Sequence, residues 1–172
     1  MRQHLLLVGL PGSGKSAAGR MAAATLGARF VDVDQLIEEQ ERLPISRIFA
    51  ERGEAAFREL ERRQVRSILS DDPCVVVPGG GWAAQSGNLE EASGRALIVY
   101  LRAAPEVAAS RAAPHGDRPL LAGRDPVARM RELLARRRAC YEAADAVVDT
   151  GERTVGEVGA ALVALARSKA GW

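Results

Sequence analysis

The run from His4 to Ser16, HLLLVGLPGSGKS, constrains this chain more than any other stretch. Leu5, Leu6, Leu7 and Val8 form a short apolar run suited to a strand buried on both faces, and a glycine-rich turn follows at once. Gly9, Gly14, Lys15 and Ser16 then match the spacing G-x-x-x-x-G-K-[ST]. Glycines let the backbone curl until successive N–H groups point at one phosphate chain, and a helix opening near Lys15 adds its positive dipole end. The expected nucleotide cradle is Gly12, Ser13, Gly14, Lys15, Ser16 and Ala17, with Lys15 reaching the β and γ phosphates and the Ser16 hydroxyl binding Mg²⁺. Of the 24 Lys plus Arg, only Lys15 and Lys169 are lysines. A chain that otherwise uses arginine keeps a compact ammonium where a point charge is needed.

With 172 residues the chain can bury one sizeable core, and a single domain over 1–172 is expected. The balance of 24 basic against 22 acidic residues leaves +2, which predicts neither a nucleic-acid nor a membrane partner. Cys74 and Cys140 lack metal-ligand spacing and read as free thiols. No stretch reads as a signal peptide or a membrane span, so a soluble, cytoplasmic protein is expected, and with no surplus apolar stripe a monomer.

Ala17 to Leu26 reads as an alanine-rich helix ended by Gly27 at a C-cap, and Arg29 to Val33 as a second strand. At the end of that strand stand Asp32 and Asp34, where α/β folds place ligand-binding groups. Asp34 is equally a candidate N-cap for a helix from Gln35 to Glu41. Pro44 opens a short helical piece with Ile45 and Phe49 on one face. After Gly53 a longer helix, 54–70, sets Phe57, Arg58 and Glu61 three and four residues apart, so that they meet on one side. Cys74 to Val77 is the third strand, stopped by Pro78, and Gly79, Gly80 and Gly81 at its end suit backbone pressed against a ligand.

Gln85 to Ala92 reads as a short helix, Ala96 to Leu101 as the fourth strand, and 105–111 as a helix. The segment 112–124 has Pro114, Gly116, Pro119 and Gly123, no periodic apolar face, and Arg118 in its middle: a candidate lid. A helix from Asp125 or Pro126 to Ala144 carries Arg136, Arg137 and Arg138, which cannot all point the same way, so one is available to a cleft. Ala146 to Val148 is a fifth strand and Thr154 to Ala166 a closing helix. The sum is a three-layer α/β/α fold with a five-stranded parallel sheet: a core over 1–111 and 125–172, a substrate-binding region over 34–61, and the lid.

A phosphate loop implies a nucleotide and leaves the reaction open. Arginines near the γ phosphate point to an anionic acceptor, and an aspartate there points to an acceptor hydroxyl. GLPGSGKS at 9–16, DVD at 32–34, IFAERGEAAFRELE at 48–61, GGG at 79–81, RPLL at 118–121 and RRRACY at 136–141 stand in a specific order. On these residues the chain resembles the shikimate kinase family, P-loop small-molecule kinases, from Leu5 to Thr150.

The resemblance implies a transferase of the aromatic amino acid pathway that moves the γ-phosphoryl of MgATP to the 3-hydroxyl of shikimate. It implies Lys15, Asp34 and Arg118 as catalytic residues, with Asp34 binding the ring hydroxyls and orienting or deprotonating the attacking one. Arg58 and Arg137 clamp the substrate carboxylate, Gly80 and Gly81 give close backbone contact, Phe49 and Phe57 wall the pocket, and Glu61 supports Arg58. Arg111 lies against adenine, Arg118 swings in on the lid, and Ser16 with Asp32 serves the metal, Asp32 through water.

Trp82 departs from the family, which generally has a small residue after the glycine triple; its indole either narrows the pocket or packs outward beneath the short helix. Ala17 and the TVG at 154–156 are smaller departures. A kinase of a related polyhydroxy acid such as gluconate is the alternative on the same fold, and a non-catalytic nucleotide-binding regulator the alternative from another class.

Overall fold

The structure, a computed structural model, describes residues 1–112 and 125–172. Five strands, β1 (His4–Val8), β2 (Phe30–Asp32), β3 (Val75–Val77), β4 (Ala96–Arg102) and β5 (Ala146–Asp149), pair in parallel in the order β2-β3-β1-β4-β5. Leu6 of β1 lies between Val76 of β3 and Ile98 of β4. The chain leaves β1 for the far edge, returns to β3 on one side of β1, and then crosses to β4 on the other. This reversal puts a crevice outside the carboxyl ends of β1 and β3, where such sheets bind ligands.

Both faces of β1 are covered, which is why its apolar run does not alternate. Leu6 and Val8 share one core with side chains of α2 (Val33–Glu41), α3 (Ile45–Ile68), α5 (Pro105–Ala112) and α6 (Pro126–Glu142). Leu5 and Leu7 share the other with α1 (Lys15–Leu26) and α7 (Val155–Lys169). These are the three layers expected. Between β3 and β4 lie a 3₁₀ turn (Trp82–Ala84) and α4 (Asn88–Ala92). No helix among the described residues is long and apolar enough to cross a membrane. Cys74 and Cys140 are free thiols, the first buried.

Several boundaries move for identifiable reasons. Helix α2 begins at Val33 because Asp32, not Asp34, is its N-cap: the Asp32 carboxylate accepts from the Gln35 N–H at 3.3 Å. Asp34 therefore sits inside the first turn with its carboxylate spared for other use. The break at Gly53 is present, with φ 82° and ψ 168°, dividing α3 into a two-turn arm and a long helix. Residues 82–84 are a 3₁₀ turn, so α4 starts at Asn88 rather than Gln85. Thr154 is the N-cap of α7, its side chain and that of Glu157 each satisfying the other's backbone N–H. Of the expected lid, residues 113–124, with Arg118, lie outside the described residues.

Candidate active site

At the end of β1 the backbone turns sharply enough to bring the loop against its neighbours. A Cβ at Gly12, where φ is 78°, would lie 2.1 Å from the Ala108 carbonyl oxygen, so only glycine fits. Gly14, also left-handed, is the N-cap of α1, which leaves the first N–H groups of that helix facing the loop's concavity. Lys15 is buried, and its Nζ donates to the carbonyls of Gly9 and Leu10 at 2.9 Å each. The Ser16 hydroxyl donates to the Asp32 carboxylate at 2.7 Å. That bond uses the Ser16 proton and leaves its lone pairs available. A hydroxyl oxygen with a carboxylate beside it at a phosphate cradle fits Mg²⁺, which takes one or two protein oxygens and completes its shell with phosphate and water.

These residues floor a cleft of about 790 Å³, within the range of small-molecule sites. Gly12, Ser13, Gly14, Lys15, Ser16 and Ala17 line it, with Asp32, Asp34, Phe49, Phe57, Arg58, Gly79, Gly80, Gly81, Arg111 and Arg137. Glu61 stands behind them, with no exposed surface. The sequence-predicted residues within the described part of the chain are thus brought to one place.

Asp34 has one carboxylate oxygen buried without a hydrogen-bond partner. Burial, with the negative charges of Glu61 and Asp32 behind it, pushes its pKa up to about 7, against the pull of Lys15 and Arg58. A carboxylate so placed is poised to take a proton near neutrality. Glu61 accepts from Arg58 at 2.9 Å and from the Gly79 N–H at 2.8 Å. Burial still raises its pKa, while Arg58 opposes the rise. Arg58 is held by Glu61 on one side and Glu54 on the other, over the face of Phe57, which in turn packs on Phe49 with ring centroids 4.8 Å apart.

Of the three consecutive arginines on α6, Arg137 is the buried one, 7% exposed, while Arg136 and Arg138 face out. The glycine triple has no room for side chains. A Cβ at Gly79 would meet the Glu61 carboxylate at 2.5 Å, one at Gly80 the Arg137 guanidinium at 3.3 Å, and one at Gly81 the Arg58 guanidinium at 2.5 Å. The Arg137 and Arg58 guanidiniums therefore face two neighbouring glycines, Gly80 and Gly81.

Trp82 is 2% exposed and lies in the core, outside the cleft lining. The 3₁₀ turn carries it away from the cleft, and the outward alternative is the one adopted. Its carbonyl accepts from the buried Asn88 side chain at 2.9 Å.

Arg111 donates to the Thr150 carbonyl at 3.0 Å, which fixes it beside Gly14 at the nucleotide end. Thr150, Arg153, Thr154 and Val155, within the stretch 149–155 that the resemblance makes the adenine-side loop, line this cleft as well, whereas sequence reasoning missed Glu38, which also lines it and accepts from the Ile45 N–H at 2.8 Å. Glu38 stands one turn after Asp34, and that spacing was the available signal.

The family model described as Shikimate kinase matches residues 11–166. A shikimate kinase of Mycobacterium avium is 41% identical over 159 residues, covering 92% of this chain and 90% of that protein. The solved shikimate kinase of Acinetobacter baumannii in complex with shikimate superposes with a TM-score of 0.92 at 31% identity, over 98% of this chain and 94% of that one. A gluconokinase from Sinorhizobium meliloti 1021 superposes with a TM-score of 0.63 at 19% identity, over 99% of this chain and 94% of that one, a likeness of fold alone. With the phosphate loop, the arginines and the glycine triple in one cleft, the chain belongs to the shikimate kinase family of ATP-dependent kinases.

Proposed function

We propose that the protein transfers the γ-phosphoryl group of MgATP to the 3-hydroxyl of shikimate, giving shikimate 3-phosphate and ADP. The observation that carries this reading is the meeting of Asp34, Arg58 and Arg137 on the glycine triple opposite the phosphate loop. One acidic group and two cations around a wall without side chains suit a ring that carries both hydroxyls and a carboxylate.

The nucleotide triphosphate lies along the N–H groups of Gly12 to Ala17, with the Lys15 ammonium against its β and γ phosphates. Arg111 holds the nucleoside end. Ser16, with Asp32 through water, would hold Mg²⁺, which would supply charge neutralisation at the phosphates. Arg58 and Arg137 grip the acceptor carboxylate, a planar match for guanidinium donors. Phe49 and Phe57 close the apolar side.

Asp34 accepts a hydrogen bond from the attacking hydroxyl and takes its proton as the bond from that oxygen to the γ phosphorus forms and the bond from phosphorus to the bridging oxygen breaks, the oxygen leaving on ADP. Arg118, from the segment 113–124, contributes charge at the transferring group. The protein supplies placement and electrostatics rather than a covalent intermediate.

A coupled ADP-release assay with shikimate, with gluconate and with no acceptor tests this. Turnover that requires shikimate is the expected outcome; turnover with gluconate alone, turnover independent of acceptor, or none at all would overturn it.

A further inference from the structure

Tyr141 is fully buried on α6, its ring stacked on Tyr100 of β4 with centroids 5.1 Å apart and planes 25° from parallel. Its hydroxyl donates to the Gly80 carbonyl at 2.6 Å. Arg137 precedes it by one helical turn and lies against Gly80 as well.

The same arrangement occurs on α3. Glu61 is buried, follows Arg58 by one turn, takes a hydrogen bond from it, and anchors the Gly79 N–H. Each helix therefore sends one guanidinium toward the cleft. Three or four residues on, it sends a buried polar group to one glycine of the triple. Glycine peptides rotate freely unless something holds them, and these two side chains hold successive parts of the triple.

We propose that Tyr141 is a positioning residue for the acceptor: its phenol fixes the Gly80–Gly81 peptide and seats the Arg137 guanidinium against it, as Glu61 does for Gly79 and Arg58. The geometry has a direct consequence. The Gly80 carbonyl and the Gly81 N–H belong to one planar trans peptide and point in opposite directions. Holding the oxygen toward α6 therefore fixes the Gly81 N–H on the far side. Burial pushes the phenol's pKa up to about 12, with the Arg137 charge opposing the shift, so the hydroxyl remains a donor throughout the neutral range.

This inference rests on shikimate being the acceptor, and its test separates the two. Tyr141→Phe keeps the ring and its stacking and removes only the donor. With a wild-type circular dichroism spectrum, it is expected to raise KM for shikimate about tenfold while KM for ATP changes less than about twofold. Combined with Arg137→Lys, its effect is expected to be less than additive, because both changes disturb one contact. An unchanged KM for shikimate, or an equal rise for both substrates, would overturn the proposal.

A second measurement needs no variant. In the wild-type protein without acceptor, ¹⁵N relaxation at Gly81 should give a rigid order parameter of about 0.85, and a value below about 0.6 would show the peptide unheld and overturn the anchoring. A wild type that does not phosphorylate shikimate would instead overturn the acceptor reading, and the relaxation measurement then decides the anchoring alone.

Discussion

Asp34 combines burial, two neighbouring carboxylates and one oxygen without a partner, which together bring its pKa up to about 7. The folded state thus keeps a proton that the unfolded chain releases near pH 4. Between those values stability falls as pH rises, and above 7 the full penalty of the buried charge remains. Asp34→Asn removes that penalty. The variant without ligand or divalent cation should melt higher than wild type at pH 8, by about 2–4 °C for each kcal/mol recovered, with the difference shrinking toward pH 4. Its kcat should fall by about 10²–10⁴ if Asp34 is the base. Equal melting temperatures at pH 8 would mean the carboxylate is better solvated than its position indicates. For Arg58, substitution by alanine would strand Glu61 as a buried charge, about 3–5 kcal/mol destabilising, and confuse folding with binding. Arg58→Lys keeps the charge and loses the planar fork. It should raise KM for shikimate by about tenfold with KM for ATP unchanged, measured in the same coupled assay. At this scale Arg58 and Glu61 were legible, because spacing along a helix sets which side chains meet. Tyr141 was not legible in that way, since it acts on a backbone carbonyl 61 positions away in the chain.

Elements were read best where burial dictates composition. The strand β1 follows from a run that no half-exposed segment would carry, the helices after it from periodic apolar faces, and the parallel sheet from their alternation. Element ends depend on single capping contacts, which compete with one another locally. Asp32 and Asp34 both suit an N-cap, and only the backbone geometry chose Asp32. Trp82 is similar: a large indole beside a glycine triple has two possible sides, and the 3₁₀ turn selects the core. The N-terminus of α7 offers a test of this kind. Thr154 closes a reciprocal cap with Glu157 and also lines the nucleotide end of the cleft. Thr154→Ala should remove about 1 kcal/mol, lowering the melting temperature by about 2–4 °C. It should raise KM for ATP with no change for shikimate, as read in steady-state kinetics. A matching rise for shikimate would mean that the loop before α7 reaches the acceptor end.

Across the whole molecule the cleft is assembled from pieces that share no element. The donor side centres on one loop and the helix it opens, joined by Asp32 from β2, Arg111 from α5 and the stretch before α7. The acceptor side draws Asp34 from α2, Arg58 and Glu61 from α3, the glycines from the end of β3, and Arg137 and Tyr141 from α6. The phosphate loop was therefore readable as one continuous motif, whereas the acceptor site was readable only in fragments, such as Arg58 with Glu61, that family resemblance joined, because sheet order is what brings its parts together. This division predicts how the fold should respond to ligands. If Arg58 and Arg137 grip the acceptor carboxylate as proposed, that ligand would tie α3 to α6 through two cations turned toward neighbouring glycines. At a concentration about 100 times its dissociation constant, shikimate should stabilise the protein by about 2.7 kcal/mol. Thermal melting should then rise by about 5–10 °C without any nucleotide present. Gluconate at the same concentration should leave the transition unmoved, and Arg58→Lys should lose most of the shift. A nucleotide-binding regulator built on this fold would respond to ATP and ignore shikimate. Melting curves with each ligand alone therefore separate a chain that merely holds a nucleotide from one whose two halves are matched to a donor and an acceptor.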